Sequence, residues 1–282
     1  MKFATFRWRG VEGFGAVVGE EIAPLAGAMS GVANLCDLIA HSSVAEARAA
    51  VDAVRERISL ADIEYLPVIP NPSKIFCIGV NYETHRVETN RERLGYPIVF
   101  LRVADSQVGH GAPMVRPRVS ERLDFEGEVA LVIGKGGRDI SEAAAYEHVF
   151  GYSCYNDGSV RDWQFHTSQW APGKNFARTG AFGPWLVTPD ELGEIAELKL
   201  ETRLNGEIMQ SATVDEMIFS IPEQIAYLST IVELRPGDVI VTGTPGGVGV
   251  KRDPQVFMKA GDICEVEVSG IGVLSNPIID QD

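Results

Sequence analysis

The chain has 282 residues, 45% of them hydrophobic, enough for one large domain or two ordinary ones around a substantial core. Its 25 Lys and Arg against 39 Asp and Glu give a formal charge of -14, which repels a phosphate backbone and an anionic bilayer and so excludes nucleic acid and membrane surfaces as partners. No apolar run reaches the roughly eighteen residues of a membrane span, no signal peptide is visible, and Cys36, Cys77, Cys154 and Cys264 show no paired spacing, so a cytoplasmic protein with reduced thiols is expected.

Residues 1–25 read as short strands with Gly turns. Ser43 with Glu46 fits a capping box, and Val44, Ala47, Val51, Val54 and Ile58 mark one helical face behind it. Pro67, Pro70 and Pro72 read as a linker, which divides the chain into a small N-terminal α/β domain, 1–70, and a larger domain, 71–282. Apolar runs at 75–80 and 97–103 predict strands. In 123–133, Leu123, Phe125, Val129, Leu131 and Ile133 alternate as an apolar face, which sends Glu126 and Glu128 to the other side. A helix is expected from Ser141 to about Val149. A hairpin at 198–210 closes on Asn205-Gly206, a type I' signal. Ser220 with Glu223 opens a further helix with Ile225, Leu228, Ile231 and Val232 inward. The pattern Pro236-Gly237-Asp238 recurs as Ala260-Gly261-Asp262, one turn type feeding two strands of a rolled, mostly antiparallel architecture. Regular βαβ alternation is absent, which excludes a doubly wound nucleotide-binding fold.

Same-side residues of a strand lie about 6.5–7 Å apart at Cα, so Glu126 and Glu128 can converge on one hard cation; the alternative is two solvated glutamates. Asp157, in Asn156-Asp157-Gly158-Ser159, can complete a three-carboxylate set or sit in a plain turn. Four positions on, Arg161 offers a bidentate fork for a carboxylate. On a helix, His85 and Glu88 share a face, so that the carboxylate can orient the imidazole as a base, or the two make a surface ion pair. Lys174 can neutralise a developing oxyanion or stay solvated. Residues 243–249, Gly-Thr-Pro-Gly-Gly-Val-Gly, lack the ending of a phosphate loop, yet their amides can bind a small carboxylate.

Taken in order, Ile78-Gly79-Val80-Asn81-Tyr82 with His85 and Glu88, Asp124-Phe125-Glu126-Gly127-Glu128, Asn156-Asp157 ahead of Arg161-Asp162, Lys174, Gly183-Pro184-Trp185, Asn205-Gly206 and the 243–249 loop resemble the fumarylacetoacetate hydrolase superfamily over residues 73–279. The resemblance implies a mostly β α+β fold, a mixed β-sandwich roll, in a homodimer. It implies Mg2+ or Mn2+ on Glu126, Glu128 and Asp157, and an anionic 2-oxo acid as substrate. Arg161, Gln164, Lys174, Thr244 and Tyr82 then contact substrate, and His85 with Glu88 forms a dyad on a mobile lid. Lys174 also joins that dyad as a catalytic residue. The main expectation is carbon-carbon hydrolysis of a 2,4-dioxo acid. Isomerases and decarboxylases of 2-oxo or 2-hydroxydienoate dicarboxylic acids, oxaloacetate included, pass through the same enolate, and a binding protein without catalysis is a further reading. Arg102 stands where many relatives have Lys, and Ala177 where they often have Asp; both are expected at the pocket rim, off the metal ligands.

Overall fold

The computed structural model describes residues 1–282. Both capping boxes form. The Ser43 hydroxyl accepts from the Glu46 amide while Glu46 accepts from the Ser43 amide, opening the helix Val44–Ala53. Ser220 and Glu223 do the same for Ile221–Ile231. The first helix is shorter than its apolar spacing predicts: Arg57 donates to the carbonyls of Val54 and Val51, satisfying groups that a continued helix would use, and Ile58 starts a short strand instead. Residues 142–148 form a 3-10 helix behind Ser141.

Asn205 and Gly206 take positive φ, 52° and 83°, the type I' geometry that joins Lys199–Leu204 to Glu207–Thr213. The recurring Gly-Asp pattern is one turn used twice. Asp238 Oδ2 accepts from the Arg235 amide at 2.7 Å and Asp262 Oδ2 from the Lys259 amide at 2.9 Å, ahead of the strands Val239–Val241 and Ile263–Val268.

The strands assemble into a large mixed sheet running Ile58–Ser59, Glu21–Pro24, Val11–Val18, Lys2–Trp8, Gly180–Val187, Val149–Asn156, Gly127–Ile133, Val239–Val241, Ile75–Gly79 and Ile98–Arg102. A five-stranded sheet, Glu207–Thr213, Lys199–Leu204, Ile263–Val268, Gly272–Asp280 and Met114–Arg116, packs on one of its faces. This is the mostly β α+β roll expected from the sequence. The helices Leu35–His41 and Val44–Ala53 share the core on the opposite face. Lys2–Trp8 pairs with Gly180–Val187, Phe3 opposite Leu186, so the strands of residues 1–70 extend the same sheet as the rest of the chain. No helix is long and apolar enough to cross a membrane.

The segment 123–133 departs from its expected form in two ways. Its pairing breaks at Phe125 and Glu126, Leu123–Asp124 joining Ser159–Val160 while Gly127–Ile133 enters the large sheet. Its second face is also buried: Val129, Leu131 and Ile133 pack toward the smaller sheet, whereas Ala130 and Val132 belong to the core beneath the helices. The signal is the unbroken apolar run 129–133: Ala130 and Val132 occupy the positions where a half-exposed strand would carry polar residues. At Gly127 the two sheets approach closely: a Cβ there would lie 1.9 Å from Thr202 Oγ1.

Candidate metal centre and active site

Strand pairing assembles the carboxylates. Gly127 lies opposite Asn156, and the Asp157 amide donates to the Glu126 carbonyl at 2.8 Å, which places Asp157 beside the two glutamates. One oxygen from each of Glu126, Glu128 and Asp157 lies within 4.8 Å of the others, and all three residues are buried. Buried carboxylates this close repel one another unless a cation joins them.

Part of that compensation comes from the chain. Lys174 Nζ donates to Glu126 Oε2 at 2.7 Å and Asp157 Oδ2 at 2.6 Å. Arg161 donates from Nε to Asp124 Oδ2 at 2.7 Å and from Nη1 to Glu126 Oε1 at 2.6 Å. Arg102 is not at the rim and does touch a metal-ligating candidate: it is buried against Asp157 Oδ1 and the Gly158 carbonyl. Its sequence neighbours Phe100 and Leu101 are partly exposed on an edge strand, which hid the fact that the next side chain turns inward. Ala177 is exposed and lines no part of the cavity.

Four buried carboxylates, Asp124, Glu126, Glu128 and Asp157, thus face three buried cations, Arg102, Arg161 and Lys174. Glu128 is the one without a cationic partner and accepts only from the Gly243 amide, at 2.5 Å. Burial, then the neighbouring Asp157 and Glu126 charges, hold its carboxyl well above the ordinary range. Burial acts on Glu126 in the same sense, but Lys174 and then Arg161 outweigh it and hold that carboxyl far below. An all-oxygen donor set with one uncompensated negative charge fits a hard divalent cation.

A cavity of about 150 Å3 opens above this centre. It is smaller than the roughly 300–1,000 Å3 of pockets for drug-sized ligands, so it suits a small organic acid. Glu126, Glu128, Arg161, Gln164, Lys174, Thr244 and His85 all line it. Gln164 Oε1 accepts from Arg161 Nη1 at 3.0 Å; Thr244 donates to the Gly127 carbonyl at 2.9 Å and accepts from Gln210. The fork that Arg161 offers in the sequence is largely engaged inside the protein, which leaves Nη2 as its buried donor without a partner. Tyr82 is fully buried, its hydroxyl unpartnered, and is not among the lining residues.

His85 sits on the helix Glu83–Glu88, its Nδ1 2.6 Å from Glu88 Oε1, while Glu88 Oε2 accepts from the Gly247 amide at 2.8 Å. With Nδ1–H donating to the carboxylate, Nε2 keeps its lone pair and can exchange a proton with a ligand. The Gly-rich loop therefore has a role of its own. Its amides hold three of the protein's carboxylates: Gly243 binds Glu128, Gly247 binds Glu88, and Gly249 with Val250 binds Asp124 at 2.8 and 2.9 Å. Sequence reasoning missed Asp124 and Gln210, which position Arg161 and Thr244. The signal for Asp124 lay in the motif Asp124-Phe125-Glu126 itself.

Glu128 gives a testable pH dependence. An acid whose folded pKa lies above its unfolded value, about 4.3 for Glu, binds more protons in the folded state between those two values. Its contribution therefore favours folding at low pH and is lost as pH rises toward the folded value. Thermal melts in EDTA should show the metal-free protein losing stability from pH 5 to pH 8, with a smaller loss in Glu128→Gln or in millimolar Mg2+. The Gln variant separates this group from Asp124 and Asp238, which burial shifts the same way. A slope untouched by Glu128→Gln would contradict the assignment.

The model of the fumarylacetoacetate (FAA) hydrolase C-terminal family matches residues 74–279. The chain belongs to the fumarylacetoacetate hydrolase family. Within this family it is 44% identical over 224 residues to the oxaloacetate tautomerase YisK of Bacillus subtilis (strain 168), covering 78% of this chain and 74% of that one. The mitochondrial oxaloacetate tautomerase fahd2 of Xenopus laevis is 42% identical over 241 residues, 85% of this chain and 76% of its own length. The crystal structure of maleylpyruvate hydrolase from Sphingobium sp. SYK-6, in complex with manganese(II) and pyruvate, superimposes with a TM-score of 0.83 at 29% identity over the full length of both chains. The protein is an enzyme of this fumarylacetoacetate hydrolase group. A divalent cation fits its buried acidic triad, and its relatives act on small organic acids.

Proposed function

We propose that this enzyme is a metal-dependent tautomerase of a 2-oxo dicarboxylic acid, interconverting the enol and keto forms of oxaloacetate or a close analogue. The observation that carries the proposal is the His85–Glu88 dyad opening onto the same small cavity as the three-carboxylate cluster. Mg2+ or Mn2+ on Glu126, Glu128 and Asp157 would supply the Lewis acidity that makes a C–H beside a 2-oxo group acidic. The remaining steps fall to side chains. Arg161 Nη2 orients the acid, and Gln164 fixes the guanidinium. Glu88 holds His85 in the tautomer with a free Nε2 lone pair, so that in the keto direction Nε2 takes the C2 hydroxyl proton and passes it to C3, and in the reverse direction takes it from C3 and returns it to the oxygen. Lys174 balances the charge of the ionised oxygen at C2. A proton leaves the C2 hydroxyl and one arrives at C3, so the reaction balances without water or a co-reactant.

Carbon-carbon hydrolysis, the main expectation from sequence, would use His85 to activate water instead. Tautomerisation is preferred because the relatives at 42% and 44% identity carry the tautomerase name. A homodimer and a cytoplasmic setting, both expected from the sequence, belong to the same proposal, and light scattering on the purified protein tests the first.

The test supplies the enol form of oxaloacetate and follows loss of its ultraviolet absorbance at the first seconds of reaction, with acylpyruvates assayed in parallel. Tautomerisation at least a hundredfold faster than acylpyruvate cleavage is expected. The opposite order would return the protein to the hydrolase reading.

A further inference from the structure

Five side chains lining the cavity carry or can carry positive charge, and three of them are already engaged. Lys174 is bonded to Glu126 and Asp157, Arg161 to Asp124 and Glu126, and His85 to Glu88. Arg91 and Lys251 line the same cavity and make no ion pair. They differ in how they are held. Lys251 is exposed, whereas Arg91 is half-buried with its guanidinium 5.0 Å from the centre of the Trp170 ring. Trp170 is itself fixed: its ring packs edge-on to Phe100 at 5.5 Å and lies so close over Gly79 that a Cβ there would fall 2.3 Å from it. Arg91 therefore has a rigid aromatic platform and a charge with no carboxylate to meet.

The chemistry of the cavity says what that charge is for. The floor groups serve one carboxylate and its 2-oxo group. The walls are apolar, Ile78, Phe100, Trp170, Val248 and Val250 among them. A second carboxylate pushed against such walls would lose its hydration with nothing in return, a cost that only a facing cation removes.

We infer that Arg91, seated on Trp170, binds the distal carboxylate of the substrate and makes the enzyme selective for dicarboxylic over monocarboxylic 2-oxo acids. The inference rests on the proposed 2-oxo dicarboxylate reading and adds to it the residue that reads the second carboxylate. It also ties recognition to the dyad. The Arg91 amide donates to the Arg86 carbonyl at 3.1 Å, and the Arg91 carbonyl accepts from Arg86 Nη1 at 2.5 Å, so the backbone that presents the guanidinium is fastened to the helix that carries His85. These bonds use backbone atoms of Arg91 and survive replacement of its side chain.

The test compares two unreactive 2-hydroxy acids that differ by one carboxylate, malate and lactate, by titration calorimetry against the Mg2+-loaded enzyme. The wild type should prefer malate. Arg91→Ala should weaken malate by about tenfold to a hundredfold while moving lactate less than twofold, since a hydrogen bond to a charged group is lost for one ligand alone. Arg91→Lys should recover part of the preference, and Lys251→Ala should change it by less than threefold. Equal weakening of both acids, unchanged malate binding in Arg91→Ala, or loss of the preference in Lys251→Ala instead would overturn the assignment. The two readings fail separately. An Arg91-dependent malate preference in a protein that does not turn over oxaloacetate removes the tautomerase reading and leaves this one, whereas turnover with a preference untouched by Arg91→Ala does the reverse.

Discussion

Asp157→Asn should abolish turnover and destabilise the metal-free fold by about 3–5 kcal/mol, whereas Glu128→Gln should abolish turnover and leave the metal-free fold as stable as the wild type or more so. Both substitutions remove one oxygen ligand from the cluster, so both should weaken Mn2+ binding. Their structural surroundings differ. Asp157 faces Arg102, whose side chain is 0% exposed, and Lys174; without its charge two buried cations lose their carboxylate. Glu128 faces no cation and is raised in pKa by burial and by Asp157 and Glu126, so neutralising it removes repulsion. Urea unfolding in EDTA, with calorimetric titration of Mn2+ into each variant, reads both quantities. Equal destabilisation by the two changes would mean that the charge balance drawn around the centre is wrong.

His85→Ala should lower the rate of tautomerisation by about 10²–10⁴-fold, the range typical of a lost general acid or base. Mn2+ affinity should stay within twofold, because His85 is not one of the clustered carboxylates, and malate should bind within about tenfold. Glu88→Gln should be milder. It keeps an oxygen acceptor for the His85 Nδ1–H, so the ring stays oriented and the effect should fall mainly on kcat. Imidazole added to His85→Ala should restore part of the rate if the residue moves a proton. Loss of Mn2+ or malate binding in parallel with the rate would instead make His85 a structural contact of the helix Glu83–Glu88.

Local signals read well from the sequence. The two capping boxes, the Asn205-Gly206 turn and the repeated Gly-Asp turn depend on neighbours within a few residues, and those rules act on the chain directly. The convergence of Glu126 and Glu128 was visible too, since strand geometry alone puts alternate residues on one side. What could not be read was long-range. Nothing near residue 102 says that its guanidinium turns in to Asp157, and nothing near residues 243–249 says that their amides meet Glu128, Glu88 and Asp124; these contacts exist only once distant strands pair. Arg91 was overlooked for a related reason. In the charged run Asn90-Arg91-Glu92-Arg93 it reads as a solvated residue, and only the packing of Trp170 from another part of the chain singles it out.

Proton exchange at C3 separates the proposed chemistry from its alternatives. Oxaloacetate in D2O with Mg2+ and enzyme can be followed by proton NMR during the first minutes, against EDTA-treated enzyme and His85→Ala. The expected result is enzyme-dependent loss of the C3 proton signal, suppressed in both controls, while the four-carbon skeleton stays intact. Exchange no faster than in buffer, or pyruvate formed faster than deuterium enters C3, would contradict the tautomerase assignment.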